Sequence, residues 1–220
     1  MTVHLLKDLD RLRQDILRMG GMVEEAIGKA IRALVDRDVG LAEEVITGEE
    51  RINELELEIG EEALKVLALH QPVASDLRFT VAVMQVNNDL ERMADLAENM
   101  ARRTRTLVSL PPIRIPFDIV AMATRVREMV KKSLDSMVEQ DVDGARSVIK
   151  MDDQVDDAHR EVYRTIQTFI RENPDLMEQA IQLLSVSRQL ERIADHTTNI
   201  AEDVVFMVEG DVIRHQEASD

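Results

Sequence analysis

LERMADLAENMA at residues 90–101 and LERIADHTTNIA at residues 190–201 decide the reading of this chain. Glu91, Arg92, Ala94, Asp95, Asn99 and Ala101 recur as Glu191, Arg192, Ala194, Asp195, Asn199 and Ala201, each one hundred positions later. Self-similarity at a fixed spacing marks a duplicated structural unit. Each copy carries Glu-x-x-x-Asp, two carboxylates one helical turn apart and therefore on one face. The repeat is thus a chemical clue as well as an architectural one.

Outward from these stretches the apolar residues keep helical spacing. Ile16, Met19, Val23, Ile27, Ala30, Ile31 and Leu34 step by three and four, as one helical stripe does, and predict a helix over about Val3–Arg37. Gly20-Gly21 interrupts it, which signals either close helix contact or a bend. Leu41, Val45, Ile52, Leu55, Ile59, Ala63 and Val66 predict a second helix over Val39–Leu69, ended by His70-Gln71-Pro72. Ser75 then reads as the N-cap of a third helix running to Leu107. Val108–Pro116 holds three of the five prolines and reads as a linker. After it the pattern restarts over Phe117–Gln140, Val142–Arg171 and Asp175–Val208, with Asp38-Val39 answered by Asp141-Val142.

The expected fold is all-α: two pseudo-symmetric, antiparallel three-helix bundles packed side by side. They span residues 1–110 and 111–210, with a polar tail at 211–220. Composition agrees. Apolar residues make up 45% and aromatics 2%, with no Trp, so the core must be aliphatic and methionine-filled. The absence of Cys removes disulfides, thiolate metal sites and cysteine nucleophiles. A net charge of −16 repels phosphate backbones and argues against nucleic acid as a partner. No signal peptide and no span long enough for a bilayer is apparent, so the expectation is a cytoplasmic protein without direct membrane insertion. A narrow acidic slab of this kind favours pairing with a copy of itself, and a homodimer is the expected assembly.

Helical geometry places the acids. At about 100° per residue, Glu91, Asp95 and Glu98 share one flank of their stripe, and Glu191, Asp195 and Thr198 share the same flank in the second half. Glu49, Asn53 and Glu56 flank the second helix, and Asp152, Asp156 and His159 the fifth. Glu50, Glu54, Asp153 and Asp157 point away from the core and read as solvated charges. If the flanks face each other, oxygen-bearing side chains converge. Such carboxylates repel by about 4 kcal/mol per pair at 4 Å and an effective dielectric of 20. Protonation, a basic partner or a cation relieves this. Oxygen ligands point to Mg²⁺, Mn²⁺, Ca²⁺ or iron ahead of structural zinc.

The plainer reading is a solvated face, because 43 acids in 220 residues yield many i,i+4 pairs by chance. It is the recurrence in register that favours the metal. Arg92 and Arg192 read as salt-bridge residues, and His159 as a surface or hydrogen-bonded histidine. His70 sits at a helix C-terminus and His196 at the edge of a stripe, where packing would occupy it. A di-iron oxidase needs Glu-x-x-His pairs projecting into the core, and the chain has none. A phosphotransfer bundle needs an accepting histidine, and no histidine recurs at matching positions in the two halves.

HQPVASDLRFTVAVMQVNNDLERMADLAENMARR (70–103) resembles the signature stretch of the PhoU family, and LRQDILRMGGMVEEAI (12–27) and QLERIADHTTNIAEDVVFMV (189–208) fit it too. The resemblance covers nearly the whole chain. It implies two three-helix bundles, a dimer, and repeated Glu/Asp-x-x-x-Asp motifs that in some members hold metal clusters. On this sequence the motifs match Glu91/Asp95, Glu191/Asp195 and Asp152/Asp156, while the fourth, Glu49/Asn53, has Asn where an acid is expected. The second half is therefore expected to bind metal more tightly. The resemblance further implies a non-enzymatic regulator placed between the ATPase subunit of an ABC-type phosphate transporter and the sensor histidine kinase of the phosphate regulon. It would favour repression when phosphate is ample. A PhoU-like regulator of another transporter is the alternative.

Overall fold

Six long helices account for nearly all of the described chain in the computed structural model, which describes residues 3–211. They are α1 (Val3–Asp36), α2 (Val39–His70), α3 (Ala74–Ser109), α4 (Ile119–Glu139), α5 (Val142–Glu172) and α6 (Met177–Glu209). There is no strand among the described residues. The polar tail expected at 211–220 lies, except for Asp211, outside them.

Short polar punctuation sets the helix ends. Asp38 accepts from the Leu41 amide at 3.0 Å and its counterpart Asp141 accepts from Gly144 at 3.0 Å, so the same side-chain cap starts α2 and α5. Asp118 caps α4 the same way, accepting from Ala121 at 2.9 Å. Helix four therefore begins after the expected Phe117, because the capping residue must itself be non-helical. Ser75 is not a cap. The residue before α3 is Val73, without a side-chain cap, and Ala74 turns at φ 50, which leaves Ser75 inside the first turn. The extended residue that follows Pro72 sets this entry. Asp175 lies in a 3-10 turn, Pro174–Leu176, and α6 proper starts at Met177.

α1, α2 and α3 form one bundle, and α4, α5 and α6 the other. The halves join through α3 on α6 and α1 on α4. α3 and α6 run antiparallel. Arg78 Nε donates to the Met207 carbonyl at 3.0 Å near one end, and Arg103 reaches Gln182 Oε1 at 3.3 Å near the other. One apolar cluster runs through both halves, from Leu5 and Ile16 through Val86 and Leu90 to Leu190 and Met207. Gly20 settles the choice between contact and bend. α1 is continuous through it, and a Cβ there would collide with the Leu134 side chain, so glycine lets α1 lie close against α4. The proline-rich linker is pinned. Arg37 donates to the carbonyls of Leu107 (2.9 Å), Val108 (3.2 Å) and Leu110 (2.9 Å), supplying partners that the end of α3 lacks within the helix.

Candidate metal centres in the two halves

The expected flanks do face each other. Glu49, Asn53 and Glu56 on α2 and Glu91 and Asp95 on α3 are half-buried beside the seam of the first bundle, whereas Glu50 and Glu54 are exposed. Asp152, Asp156 and His159 on α5 and Glu191 on α6 are half-buried in the second, with Asp195 more open and Asp153 and Asp157 exposed.

In the first half the acids are largely answered from within. Asn53 Nδ2 donates to Glu49 Oε1. Asn87 Nδ2 donates to the Glu56 carbonyl at 2.9 Å and to Glu56 Oε1 at 3.3 Å. The Arg92 guanidinium lies 3.3 Å from Glu91 and 3.4 Å from Asp95. Burial still raises the Glu91 carboxyl above its ordinary value; Asp95, Glu56 and Glu49 add to the rise and Arg92 opposes it. Glu98, expected on this flank, is held by Arg102 at 2.6 Å.

The second half is less well answered. Asp152 is pushed up to about 7, first by burial and then by the charges of Asp156, Asp195, Asp153 and Glu191. Glu191 is raised by burial and by Asp195, and Asp195 by burial and by Asp156. Arg188 and Arg192 pull both back without closing, among the described residues, an ion pair like that of Arg92. Thr198 turns to its own helix, donating to the Asp195 carbonyl at 2.7 Å. His159 is the hydrogen-bonded histidine expected. Nδ1 lies 2.8 Å from Oγ of the fully buried Ser187, and burial and Arg188 hold the ring below its ordinary value.

Oxygen atoms without donors test whether a cation fits. Among the described residues, Asn53 Oδ1, Asn87 Oδ1 and Glu91 Oε2 in the first half are buried with no hydrogen-bond partner. So are Asp152 Oδ1 and Glu191 Oε2 in the second, whereas the bare Gln189 Oε1 is at the position matching Asp89, off the acid flank. Arg92 approaches Glu91 Oε2 without the alignment of a hydrogen bond. A buried acceptor without a donor carries its full desolvation cost, and a hard cation is the partner that oxygen donors suit. The donor sets therefore fit such an ion. As placed here, no three Asp, Glu or His side chains among the described residues close to chelating geometry, so coordination requires the α2–α3 and α5–α6 side chains to move inward.

Charge also balances differently from the motif count. Asn53 stands opposite Asp156, but Glu56 stands opposite His159 in the same register. Apart from Glu98, which Arg102 pairs and whose counterpart is Thr198, the acids are then Glu49, Glu56, Glu91 and Asp95 in the first half, and Asp152, Asp156, Glu191 and Asp195 in the second. The halves differ in arrangement and not in the number of charges.

Sequence reading missed the polar contacts of the seam. His196, expected to pack, donates from Nδ1 to the buried Asp89 at 2.8 Å across α3 and α6, and Asn199 adds a contact at 3.3 Å. Asn87 was also missed, although it precedes Glu91 by one turn on the same helix face. A groove of about 560 Å³ between α1 and α4 is lined by Gly21, Glu24, Gly28, Arg32, Thr124 and Arg127 among others and lies apart from the acids. No helix among the described residues is long and apolar enough to cross a membrane.

Comparison with known proteins follows the same duplication. The family model described as the PhoU domain matches twice, at residues 16–104 and 119–204. The chain is 39% identical over 212 residues to a phosphate-specific transport system accessory protein PhoU homolog of Aquifex aeolicus, covering 96% of each chain. It is 36% identical to the like-named protein of Pseudomonas aeruginosa, covering 94% of this chain and 86% of that one. Its structure resembles the crystal structure of PhoU from Pseudomonas aeruginosa, with a TM-score of 0.89 and 36% identity over 93% of this chain and 99% of that one. It also resembles the phosphate transport system regulatory protein PhoU from Streptococcus pneumoniae, with a TM-score of 0.85 and 28% identity over 94% of this chain and 98% of that one.

Proposed function

The chain belongs to the PhoU family, and from that premise we propose that it is a regulator of phosphate uptake and of the phosphate regulon. It acts in the cytoplasm, without catalysis of its own, between the ATPase subunit of an ABC-type phosphate transporter and a sensor histidine kinase, and it favours the repressed state when phosphate is ample. The observation that carries the reading is the double domain match along the chain, joined to near-complete coverage of relatives named as accessory proteins of phosphate-specific transport.

A regulator of this kind works by differential affinity: a helical face that binds one conformation of a transporter better than another reports that conformation to whatever else it binds. The six helices share one apolar core through both halves, which suits this by joining the two faces through packed side chains. A homodimer belongs to the same reading.

The carboxylate clusters are the metal sites of this reading. Glu49, Asn53, Glu91 and Asp95 would hold one ion or cluster, and Asp152, Asp156, Glu191 and Asp195 the other, with iron, manganese or magnesium favoured over structural zinc. A bound cation would supply positive charge to oxygens that lack donors. The Asp152 carboxyl, raised by burial and by the neighbouring acids of α5 and α6, would otherwise take up a proton as the pH falls toward 7.

Affinity capture of the full chain from cells grown in high and in low phosphate tests the regulatory role. Recovery of the transporter ATPase and the kinase, with a balance that shifts between the two conditions, is expected; recovery of neither overturns it. Recovery of the ATPase of a different transporter would favour a PhoU-like regulator of that system.

A further inference from the structure

Asn87 is only 2% exposed, deeper than any acid of the first-half cluster, and it is a polar side chain in an apolar seam. Its nitrogen is fixed by the Glu56 main-chain carbonyl at 2.9 Å, a group that only accepts, so the amide orientation is set. Its oxygen is thereby turned the other way, and it is buried without a partner among the described residues. Asn53 repeats the arrangement from the facing helix: its nitrogen goes to Glu49 and its buried oxygen is left bare. Both amides thus spend their donors on glutamates of the cluster and keep their acceptors free. Glu91 Oε2, one turn after Asn87 on α3, is the third buried oxygen without a hydrogen bond. Glu56, which Asn87 anchors, and Glu49, which Asn53 holds, both lie near enough to raise the Glu91 carboxyl, so the two amides and Glu91 border one cluster.

We propose that Asn87, together with Asn53, supplies neutral carbonyl oxygens to a cation in the first half, making that site an all-oxygen centre for a hard ion of the Mg²⁺, Ca²⁺ or Mn²⁺ class. This rests on the cation reading above and deepens it. Asn87 lies outside the Glu/Asp-x-x-x-Asp pattern, and its counterpart in the second half is Ser187, which is occupied with His159. The two halves therefore build their centres differently. Amide oxygens are ordinary ligands for hard cations, and they add coordination without adding repulsion to four nearby carboxylates.

The test is a Mn²⁺ titration of the metal-stripped full chain, read by calorimetry and by loss of the free-ion paramagnetic resonance signal. The same titration is run in an Asp152→Ala/Asp156→Ala background, which removes the α5 oxygens and silences the second half. That background is expected to keep a Mn²⁺ site which Mg²⁺ or Ca²⁺ displaces. Within it, Asn87→Leu should weaken Mn²⁺ about tenfold or more, and Asn87→Asp should bind at least as tightly as the background. Both substitutions remove the donor to Glu56, so a residue acting only through that hydrogen bond would make them equally weak, and that result overturns the proposal. Circular dichroism confirms that each variant is folded. Loss of all Mn²⁺ from the background, while the unsubstituted chain still binds, overturns the first-half site alone. No binding by the unsubstituted chain overturns the cation reading and this proposal with it.

Discussion

The two bundles have the same three-helix plan and different electrostatic solutions. In the first, Arg92 sits on Glu91 and Asp95, and two asparagines donate to Glu49 and Glu56. In the second, Asp152, Glu191 and Asp195 are all raised above their ordinary values, and the carboxyl of Asp152 reaches about 7. Equal numbers of acids therefore do not mean equal demand for a counter-ion. What matters is how many donors the neighbouring turns bring to them, and the half with fewer is the half that gains more from a cation.

Removing one acid from each half is the most severe test of that difference. Asp195→Ala should cost about tenfold to a hundredfold in metal affinity. Asp95→Ala should cost less, because the first half retains its amide oxygens and loses an acid that Arg92 already answers. Metal content of the two purified variants decides the matter, and equal losses would erase the asymmetry.

The seam offers the next contrast. Asp89→Ala strands the His196 and Asn199 donors and should destabilise the protein by about 2 kcal/mol in denaturant unfolding. Its counterpart Gln189 has a bare buried oxygen, so Gln189→Ala should cost well under half as much. A cost for Gln189→Ala matching that of Asp89→Ala would show that the two positions are equivalent after all.

Asp152 makes the pH dependence one-sided. Its carboxyl is held at about 7 in the folded protein against an ordinary 3.8. Below about pH 4 both states carry the proton. Between there and pH 7 the unfolded chain releases it first, so raising the pH favours unfolding until the folded carboxyl also ionises. Metal-free protein should accordingly have a higher Tm at pH 6 than at pH 8, and Asp152→Asn should flatten the slope. An unchanged slope in Asp152→Asn would remove Asp152 as its source.

The smallest expected effect is on the arginines. Arg92→Gln removes a half-exposed ion pair and should shift stability by under about 1 kcal/mol, with Arg192→Gln closer to zero. A larger loss from Arg192→Gln, read in the same unfolding assay, would reverse the assignment of the better-neutralised half.

The reach of the sequence is clear from individual residues. The inward half-turn of Glu49, Asn53 and Glu56 and the outward one of Glu50 and Glu54 were legible because helical period alone sets them. Ser75 misled because its residue type suits an N-cap, while the chain entering from Pro72 puts the cap at Val73 and so starts the helix two residues earlier. His196 was legible as a residue at the edge of a stripe and illegible as a partner of Asp89, which lies 107 positions away in the chain. Asn87 could have been found by extending the Glu91/Asp95 line back one turn.

By itself, then, the sequence determined the six helices, the duplication and the faces on which the acids lie, because all three follow from residue type and spacing within a few turns. Only the tertiary structure decided that α3 and α6 cross antiparallel through Asp89 and His196, that Gly20 receives Leu134, and which oxygens are left without donors. Those outcomes depend on distances between residues far apart in the chain, and no local periodicity encodes them.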